Sequence, residues 1–476
     1  MERRDFLKAL GALGGATALS ALPLPGLAAS LDETWLSGAS GDFAPLAMSL
    51  QGDWPKQLTG TLYRNGPALF RRAGEQQRHW FDGDGMVQAF RIGPGGISHS
   101  GKLVRTEKYQ TELQAKRFLY PGVGSQRHGA PIAHNDSANP ANISVRRFGN
   151  RYMALWEAGS AYEIDPDTLD TKGLVSFAPE LTHLPFSAHP QFEPDGSAWN
   201  IGSLFYNGLA KAVIYRFDAG GKLSRYQLID LPRDGYMHAF ALSERYLVLF
   251  NTALRYQKGD SFLAGLRFDG ASDNQIILVD KNSLQIHKVV SVPASFAFHL
   301  GTAIEEKGTL ELTVAEYPNA DIMLKGMDTR HLGQQPYPSA MVRYRLDVAS
   351  GRCQRQALAV DLEFPQFDWR APYRRQTQFG VASTQKDRGL GNAIAAISPG
   401  NDIQLHRFDD NIAVEEPLLV TARNGRNYLL HTLLDKTRLQ TGLALFDPAK
   451  VQQGPIATAT MPRALPLGFH GAFYPA

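Results

Sequence analysis

The chain has 476 residues, with 49 Lys and Arg against 46 Asp and Glu and a net charge of +3 with histidine neutral. This balance, without any long run of like charges, gives no electrostatic case for binding nucleic acid or an anionic membrane surface. With 43% hydrophobic and 20% charged residues, the chain can bury a large core.

The first 28 residues have the features of an export signal. The stretch "RRDFLK", which begins at Arg3, resembles the twin-arginine pattern, and an apolar run over residues 9–22 follows it. A membrane anchor is the alternative, but glycine and proline interrupt the run, which falls short of the ~20 residues that a membrane span needs. We therefore expect a twin-arginine signal peptide over residues 1–28, cleaved near Ala28, and export to the periplasm.

Short runs rich in Val, Ile, Leu, Tyr and Phe recur from residue 60 to residue 458, each bounded by turn residues. Examples are "RYMALWEAG", "AKAVIYRFDAGGKL", "NQIILVDKNSL" and "TLELTVAEY". These are strand signals, and predicted helix is confined to short pieces such as Thr111 to Arg117. The sequence predicts an all-β protein in which residues 29–476 form one domain. A β-propeller suits this length because its radial blades leave only short, protected edges.

The glycine-rich stretch "FDGDG", from Phe81 to Gly85, contains two aspartates that could suggest a calcium site. It lacks the other ligands of an EF-hand loop. A hairpin turn is therefore predicted there.

The single cysteine, Cys353, limits the chemistry of any metal site. One cysteine excludes an intramolecular disulfide and a thiolate cluster. Any metal site must therefore be built from His, Asp and Glu.

Four of the 13 histidines have apolar or aromatic sequence neighbours, unlike a solvated surface: His189, His238, His299 and His470. A low local dielectric keeps imidazole neutral and able to bind a metal. For any one of them taken alone, a core or surface role is more frequent than a ligand role. Their separations match no local zinc or calcium motif. The residues themselves thus give four candidate ligands and no motif that joins them.

Nine short motifs along the chain carry a resemblance to a known family. In chain order they are "GTLYRNGPALF", "HWFDGDGMVQAFRI", "VRTEKY", "NPANISV", "ALWEAG", "AHPQFEPDG", "FHLGTAIEE", "EFPQFD" and "GFHG". Together they resemble the carotenoid cleavage oxygenase family, which also holds the retinal pigment epithelium isomerohydrolase and the lignostilbene dioxygenases. The resemblance runs from about Gly60 to the C-terminus.

The resemblance implies a seven-bladed β-propeller with a small helical dome over an apolar tunnel. It also implies that four histidines hold one Fe(II) on the propeller axis and leave two octahedral positions open. Transferred residue by residue, these ligands are His189, His238, His299 and His470. The two-histidine, one-carboxylate iron site of other non-heme oxygenases is a different solution to the same need for open positions.

Three glutamates match positions at which the family supports its histidines. A ligating imidazole usually donates its other N–H to an acceptor that fixes the ring, and an unpaired carboxylate among apolar residues would be costly. The implied pairs are Glu157 with His238, Glu363 with His299, and Glu416 with His470. For Glu416, which follows Glu415, a solvated edge position is the alternative.

The chain departs from the family pattern next to two of the histidines. Ala239 stands where the family usually has Asp, and Thr302-Ala303, preceded by Gly301, stands where it usually has Asn-Ala. None of these residues is a ligand. We therefore expect iron binding to be kept and the cavity near the metal to differ.

The resemblance implies a monomeric, periplasmic Fe(II) dioxygenase that inserts O2 across one conjugated C=C bond of a carotenoid or apocarotenoid and releases two carbonyl products. It needs no 2-oxoglutarate, flavin or nicotinamide, and its lipophilic substrate implies peripheral contact with a membrane or a carrier. Two alternatives stay open. One is a lignostilbene-type dioxygenase that cleaves phenolic stilbenes, and the other is a metal-free propeller that binds an apolar ligand.

Overall fold

The computed structural model describes residues 38–476, apart from 126–129, 258, 260, 359 and 385–389. The predicted signal peptide over residues 1–28 lies outside these residues. The described chain forms seven antiparallel sheets of four to six strands, which follow one another along the chain as the blades of a propeller. The all-β, seven-bladed prediction is confirmed.

The first four blades take their strands from the amino-terminal part of the chain and from its last segment. Blade 1 contains Phe43–Ala47, Gly60–Leu69, Asp84–Gly93, Gly96–Leu103 and His470–Pro475. Blade 2 contains Ser144–Phe148, Arg151–Leu155, Tyr162–Ile164 and Thr171–Leu174. Blade 3 contains Gln191–Phe192, Ala198–Ser203, Lys211–Phe217 and Leu223–Asp230. Blade 4 contains Phe240–Leu242, Tyr246–Asn251, Asn274–Asp280 and Ile286–Val292.

The remaining blades complete the ring. Blade 5 contains Phe296–Glu306, Thr309–Tyr317, Ala340–Asp347 and Cys353–Ala357. Blade 6 contains Glu363–Gln366, Gln378–Ala382, Ala393–Ile397 and Ile403–Arg407. Blade 7 contains Ser49–Gly52, Ile412–Val414, Leu418–Thr421, Asn427–Asp435, Gln440–Phe446 and Ala457–Met461. Two short ribbons lie outside the blades: Arg71–Arg72 with Glu75–Gln76, and Leu254–Tyr256 with Leu266–Phe268.

The two ends of the described chain close the ring. The His470–Pro475 strand pairs with Gly60–Leu69 in blade 1, with Asn65 opposite His470. It also contacts the Ser144–Phe148 strand of blade 2 and the Leu418–Thr421 strand of blade 7, so it lies at the inner edge of its blade. Ser49–Gly52 in turn forms the outer strand of blade 7. Blade 1 and blade 7 therefore each contain strands from both ends of the described chain.

Apolar side chains fill the spaces between successive blades. Val248 of blade 4 and Leu312 of blade 5 belong to one buried cluster, and Ile394 of blade 6 and Leu429 of blade 7 to another. Because side chains alternate between the two faces of a strand, a blade packed on both faces needs apolar residues on both. This requirement explains the near-continuous apolar runs such as "NQIILVD".

Helices in the described residues are short. The α-helices are Glu107–Ala115 and Phe262–Gly265, the 3-10 helices are Trp80–Asp82, Asn135–Ala138, Pro179–Leu181, Leu204–Asn207 and Val451–Gln453, and Ile322–Gly326 is a π-helix. The helix predicted near residue 111 begins earlier, because the Thr106 hydroxyl accepts a hydrogen bond from Tyr109 N and caps it. Within this part of the chain, no helix is long and apolar enough to cross a membrane.

A cap covers one end of the propeller axis and contains three of these helices. We define the cap as residues 77–82, 118–125, 261–268 and 318–338. Trp80 N donates to Met327 O (2.8 Å), and Leu263 N donates to Val123 O (2.8 Å). These bonds join loops from different blades. The prediction of a small helical dome is confirmed.

The prediction of a hairpin turn at "FDGDG" is wrong. The Trp80–Asp82 helix leads through Gly83 directly into the strand that starts at Asp84. Asp82 accepts hydrogen bonds from Val123 N (2.5 Å) and Ser125 Oγ (2.7 Å), and Asp84 pairs with the buried Lys108 (2.6 Å). Distant segments of the chain therefore satisfy both carboxylates, and a calcium site is not needed to explain them.

Candidate metal centre

Four buried histidines meet where the inner strands of the blades converge. One nitrogen from each of His189, His238, His299 and His470 lies within 4.8 Å of the corresponding nitrogen of every other. The Nε2 atoms of His189 and His238 are 2.9 Å apart, and those of His299 and His470 are 3.2 Å apart. The structure thus brings together all four histidines singled out in the sequence.

Each histidine sits at or just before the first strand of its blade, or on the last strand of the chain. His189 and His238 precede the strands Gln191–Phe192 and Phe240–Leu242. His299 lies in Phe296–Glu306, where the pairing register shifts between Ala297 and Leu300. Such a bulge re-aims a side chain, and here the side chain is the imidazole.

Hydrogen bonds to main-chain groups position three of the histidine-bearing segments. Ser187 Oγ accepts from His189 N (3.1 Å) and donates to His238 O (3.3 Å). His470 N donates to Ile143 O (3.3 Å). The Ser187 hydroxyl therefore joins the His189 and His238 segments, and the His470 segment is bonded to the chain just before blade 2.

Three of the imidazoles each face a glutamate, in the pairs expected from the sequence. The distances from Nδ1 to the carboxylate are 2.6 Å for His238 with Glu157, 2.5 Å for His299 with Glu363, and 2.9 Å for His470 with Glu416. Each Nδ1–H donates a hydrogen bond to its carboxylate, so Nε2 keeps its lone pair and points toward the other histidines. Among the described residues, no carboxylate faces His189 in this way.

The donor set fits a divalent transition metal. With both Nδ1 atoms donating to glutamates, the Nε2 lone pairs of His299 and His470 face each other at 3.2 Å. Two lone pairs at this distance repel unless a cation lies between them. Imidazole nitrogen suits Fe, Zn, Cu and Ni, and the glutamates provide negative charge through the imidazoles.

Burial favours the uncharged form of the groups around His470. It lowers the pKa of His189 and His470 well below the usual value of histidine, and the neighbouring imidazoles lower it further. Burial also raises the pKa of the Glu416 carboxyl, an effect that the Arg64 guanidinium opposes. Neutral imidazole is the form that binds a metal.

Arg64 supports this region and was not singled out in the sequence, although it lies in the "GTLYRNGPALF" motif. Its guanidinium is 1% exposed and lies 3.2 Å from Glu415 and 3.8 Å from Glu416. It passes next to Gly471, where an added Cβ would lie 2.8 Å from Arg64 Cδ. Glycine in "GFHG" thus makes room for the arginine. Glu416 is not a solvated edge residue, since its side chain is 1% exposed.

Tyr236 and Phe364 also contact residues of the four-histidine centre, although they were not singled out in the sequence. The Tyr236 hydroxyl donates to Glu157 Oε1 (3.1 Å). Tyr236 precedes His238 by two residues, and this spacing places side chains on one face of an extended segment. The ring of Phe364 packs 4.9 Å from that of His299, with a backbone φ of 54°. A bulky residue in this conformation carries strain, which often occurs at functional sites.

A mainly apolar cavity lies between the cap and the histidines. Its empty volume is about 1130 Å³, open solvent at the mouth included. His238, His299 and His470 line one part of it, and Trp80 and Tyr337 of the cap line another. The cavity can hold an extended apolar molecule against the four-histidine centre.

The residues that depart from the family pattern lie outside the lining of this cavity. Ala239 packs in the apolar cluster between blades 4 and 5. The Thr302 hydroxyl accepts a hydrogen bond from Gln378 Nε2 (3.3 Å) of blade 6. In the described part of the chain, neither residue lines the cavity. Both point into the spaces between blades.

A seven-bladed propeller with four converging imidazoles beneath an apolar cavity has the architecture of a metalloenzyme, in which the blades position four candidate ligands and the cap closes the cavity above them.

Comparison with known proteins identifies the family. The model of the family described as retinal pigment epithelial membrane protein matches residues 40–475. The apocarotenoid-15,15'-oxygenase of Synechocystis is 29% identical over 454 residues, which cover 89% of this chain and 92% of that protein. The isoeugenol monooxygenase of Pseudomonas nitroreducens is 24% identical over 464 residues, which cover 90% of this chain and 94% of that protein. The chain belongs to this family of carotenoid cleavage oxygenases, as predicted, and is an oxygenase.

A solved structure agrees with this assignment. The cobalt-substituted apocarotenoid oxygenase of Synechocystis superposes with a TM-score of 0.83 at 25% identity, over 93% of this chain and 98% of that one. Separately, a twin-arginine translocation signal matches residues 1–20. That match agrees with the predicted export signal.

Proposed function

We propose that this protein is a non-heme Fe(II) dioxygenase that cleaves one conjugated C=C bond of a carotenoid or apocarotenoid. One oxygen atom of O2 goes to each carbon of the broken bond, so two carbonyl products form and no further reductant is consumed. The observation that carries the proposal is the opening of the apolar cavity directly onto His238, His299 and His470. The name of the Synechocystis relative supports the apocarotenoid substrate class.

The proposed iron ligands are His189, His238, His299 and His470, and the proposed supporting residues are Glu157, Glu363 and Glu416. Iron bound by these imidazoles supplies the redox centre that activates O2. The convergence of four lone-pair nitrogens supports this assignment. The cobalt-substituted form of the Synechocystis oxygenase supports a transition metal at this site, since imidazole is a common ligand of such metals.

The chain's own contribution is positioning and the exclusion of water. The glutamates accept hydrogen bonds from the Nδ1–H groups and fix the imidazole rings, and the Tyr236 hydroxyl fixes Glu157 in turn. Phe81 and Phe298 line the cavity beside the histidines, so a polyene would lie in a dry, aromatic environment. In such a site, the placement of the substrate relative to the histidines selects the bond that is cleaved.

A phenolic stilbene or phenylpropene is the second candidate substrate, supported by the isoeugenol monooxygenase relative. Tyr317 and Tyr337 line the cavity and offer hydroxyls to a phenol. Burial raises the pKa of Tyr317, which keeps its hydroxyl protonated. Among the described residues that line the cavity there is no lysine, and a site for a phenolate would gain from one. We therefore prefer the polyene.

We further propose that residues 29–476 form a single mature domain, delivered to the periplasm after removal of residues 1–28. The twin-arginine match over residues 1–20 supports export. We propose a monomer that contacts membranes peripherally to obtain a lipophilic substrate. N-terminal sequencing of the periplasmic protein, light scattering and flotation with lipid vesicles test these three points.

The decisive experiment combines metal analysis with product analysis. Anaerobically handled mature protein is assayed for iron and then for O2-dependent bleaching of a carotenoid, an apocarotenal and a hydroxystilbene, with labelled O2. One iron per chain and labelled aldehydes from a polyene would support the proposal. Cleavage of the stilbene alone would replace it with the second candidate. Failure to hold iron after reconstitution would favour a metal-free propeller that binds an apolar ligand.

A further inference from the structure

A second histidine cluster shares no residue with the four-histidine centre. It lies in the segments that lead into and out of blade 2 and contains His134, Asp136 and His183. One ligand atom from each lies within 4.8 Å of the other two. The two imidazole rings are stacked, with centroids 3.6 Å apart and planes 11° apart. The Asp136 side chain is 0% exposed, whereas His134 and His183 reach solvent.

The carboxylate of Asp136 is held in one orientation. Its Oδ1 accepts from Ser160 N (2.7 Å) and Asn139 Nδ2 (2.8 Å), and its Oδ2 accepts from Ser160 Oγ (2.7 Å). A carboxylate offers about four lone-pair positions, so one remains on Oδ2. That position faces His183 Nδ1 at 2.7 Å. The oxygen is thus already aimed at the stacked rings.

The nitrogens of both imidazoles lie close enough to Asp136 to share one cation. His134 Nδ1 is buried and has no hydrogen-bond partner in the described part of the chain. A single divalent ion would take the place of the proton that His183 Nδ1 shares with Asp136 Oδ2 and would also bind a nitrogen of His134. Glu107, whose carboxylate lies 3.8 Å from His134 Nε2, adds negative charge nearby.

The donor set is that of a zinc site. Two imidazole nitrogens and one carboxylate oxygen are common zinc ligands, at about 2.0–2.2 Å from the ion. Ligands on a tetrahedral ion are then about 3.4 Å apart. Each bound imidazole points its in-plane lone pair at the ion, so His134 and His183 would turn out of their parallel stack as the ion binds. Because the histidines reach solvent, water can complete the coordination.

The cluster connects the Glu157 loop and the segment that leads to His189, both of which belong to the four-histidine centre and its supporting residues. Asn135 Nδ2 donates to Ala158 O (2.7 Å), in the loop that follows Glu157. His183 N donates to Ser160 Oγ (3.1 Å), and the chain runs on from His183 to His189. We propose that His134, Asp136 and His183 bind Zn²⁺, and that this ion ties the Glu157 loop to the segment that leads to His189.

Zinc stoichiometry tests the proposal. The mature wild-type protein, a His134→Ala/His183→Ala double variant and a His287→Ala control are dialysed against Zn²⁺, and bound metals are counted by mass spectrometry. His287 is exposed on the outer strand of blade 4. We expect wild type and control to hold one more zinc per chain than the double variant. All three proteins keep the four-histidine centre, so the difference is independent of the iron and of the proposed reaction.

A second measurement tests the proposal even if the double variant does not fold. The single variant His134→Ala changes a partly exposed residue and should fold, as circular dichroism can verify. With Co²⁺ in place of zinc, the visible absorption of wild type should contain a component that is lost in His134→Ala. Equal zinc counts in wild type and the folded double variant, or identical cobalt spectra in wild type and His134→Ala, would overturn the proposal.

Discussion

Arg64 Nη1 donates a 2.9 Å hydrogen bond to the main-chain carbonyl of Glu416, 352 positions further along the chain. This bond joins the Gly60–Leu69 strand of blade 1 to blade 7 directly behind His470. Glu416 in turn faces His470 Nδ1 and accepts from Gly471 N (2.7 Å). One buried guanidinium therefore links the closure of the propeller to the placement of a candidate ligand.

We predict that Arg64→Ala lowers the free energy of unfolding by about 3–5 kcal/mol, because it leaves buried carboxylates without their positive partner. The measurement is equilibrium unfolding in denaturant on metal-free protein. Arg330→Ala, which removes an exposed partner of Asp328, should cost about 1 kcal/mol or less. Equal losses of unfolding free energy in the two variants would show that the buried Arg64 contributes no more to stability than an exposed ion pair does.

Glu157→Gln should weaken metal binding by about 10- to 100-fold, because outer partners of a ligating histidine typically contribute this much. Glutamine keeps an acceptor but removes the charge that His238 Nδ1 faces at 2.6 Å. Competition with a chelator of known affinity gives the ratio. Glu163→Gln, on the Tyr162–Ile164 strand of the same blade, is the control and should leave the affinity unchanged. An unchanged affinity in Glu157→Gln would remove Glu157 from the site.

His99 should make the protein less stable in acid. Burial lowers its pKa to about 3, against about 6.5 in the unfolded chain. Below pH ~6.5 the unfolded chain binds the extra proton, so the contribution of His99 is complete above that pH and is lost as the pH falls toward about 3.

We test this effect with His99→Gln, which keeps a polar side chain near Gln88. Between pH 6 and pH 4.5, the wild-type protein should lose about 1 kcal/mol more unfolding free energy per pH unit than His99→Gln. The reason is that one extra proton bound by the unfolded chain corresponds to ~1.4 kcal/mol per pH unit. Denaturant titrations on metal-free protein provide the slopes. The exposed His287→Gln variant should have the slope of the wild type. A slope unchanged by His99→Gln contradicts the prediction.

Trp80→Ala should reduce kcat/KM for a polyene by about tenfold or more without loss of bound metal. Trp80 lines the cavity, and its ring packs on that of Phe469 at 4.8 Å between centroids. Burying a large apolar side chain against a substrate contributes about 1.5–3 kcal/mol, and 1.4 kcal/mol is tenfold. Bleaching kinetics and iron analysis are the measurements. The control is Trp369→Ala, which removes a ring that is 52% exposed and should keep the wild-type kcat/KM. A wild-type kcat/KM in Trp80→Ala as well would show that the cavity is not the substrate site.

The sequence allowed the fold class to be predicted because strand length, turn residues and nine ordered motifs are local features. The family resemblance that these motifs carry singled out His189, His238, His299 and His470, together with the three glutamates, although His238 and Glu416 lie outside the nine motifs. The helix near residue 111 was placed too late, since its start depends on the Thr106 cap. The hairpin prediction at "FDGDG" failed because both aspartates are satisfied by residues far away in the chain.

What the sequence by itself determined is the set of residue types: an all-β chain with four apolar-flanked histidines and the glutamates that match them. Only the tertiary structure decided which atoms meet. The bond from Arg64 to Glu416, the hydroxyl of Tyr236 on Glu157 and the stacking of His134 on His183 join segments far apart in sequence. Such contacts exist only once the ring of blades has closed, because closure fixes the distances between strands that no local pattern encodes.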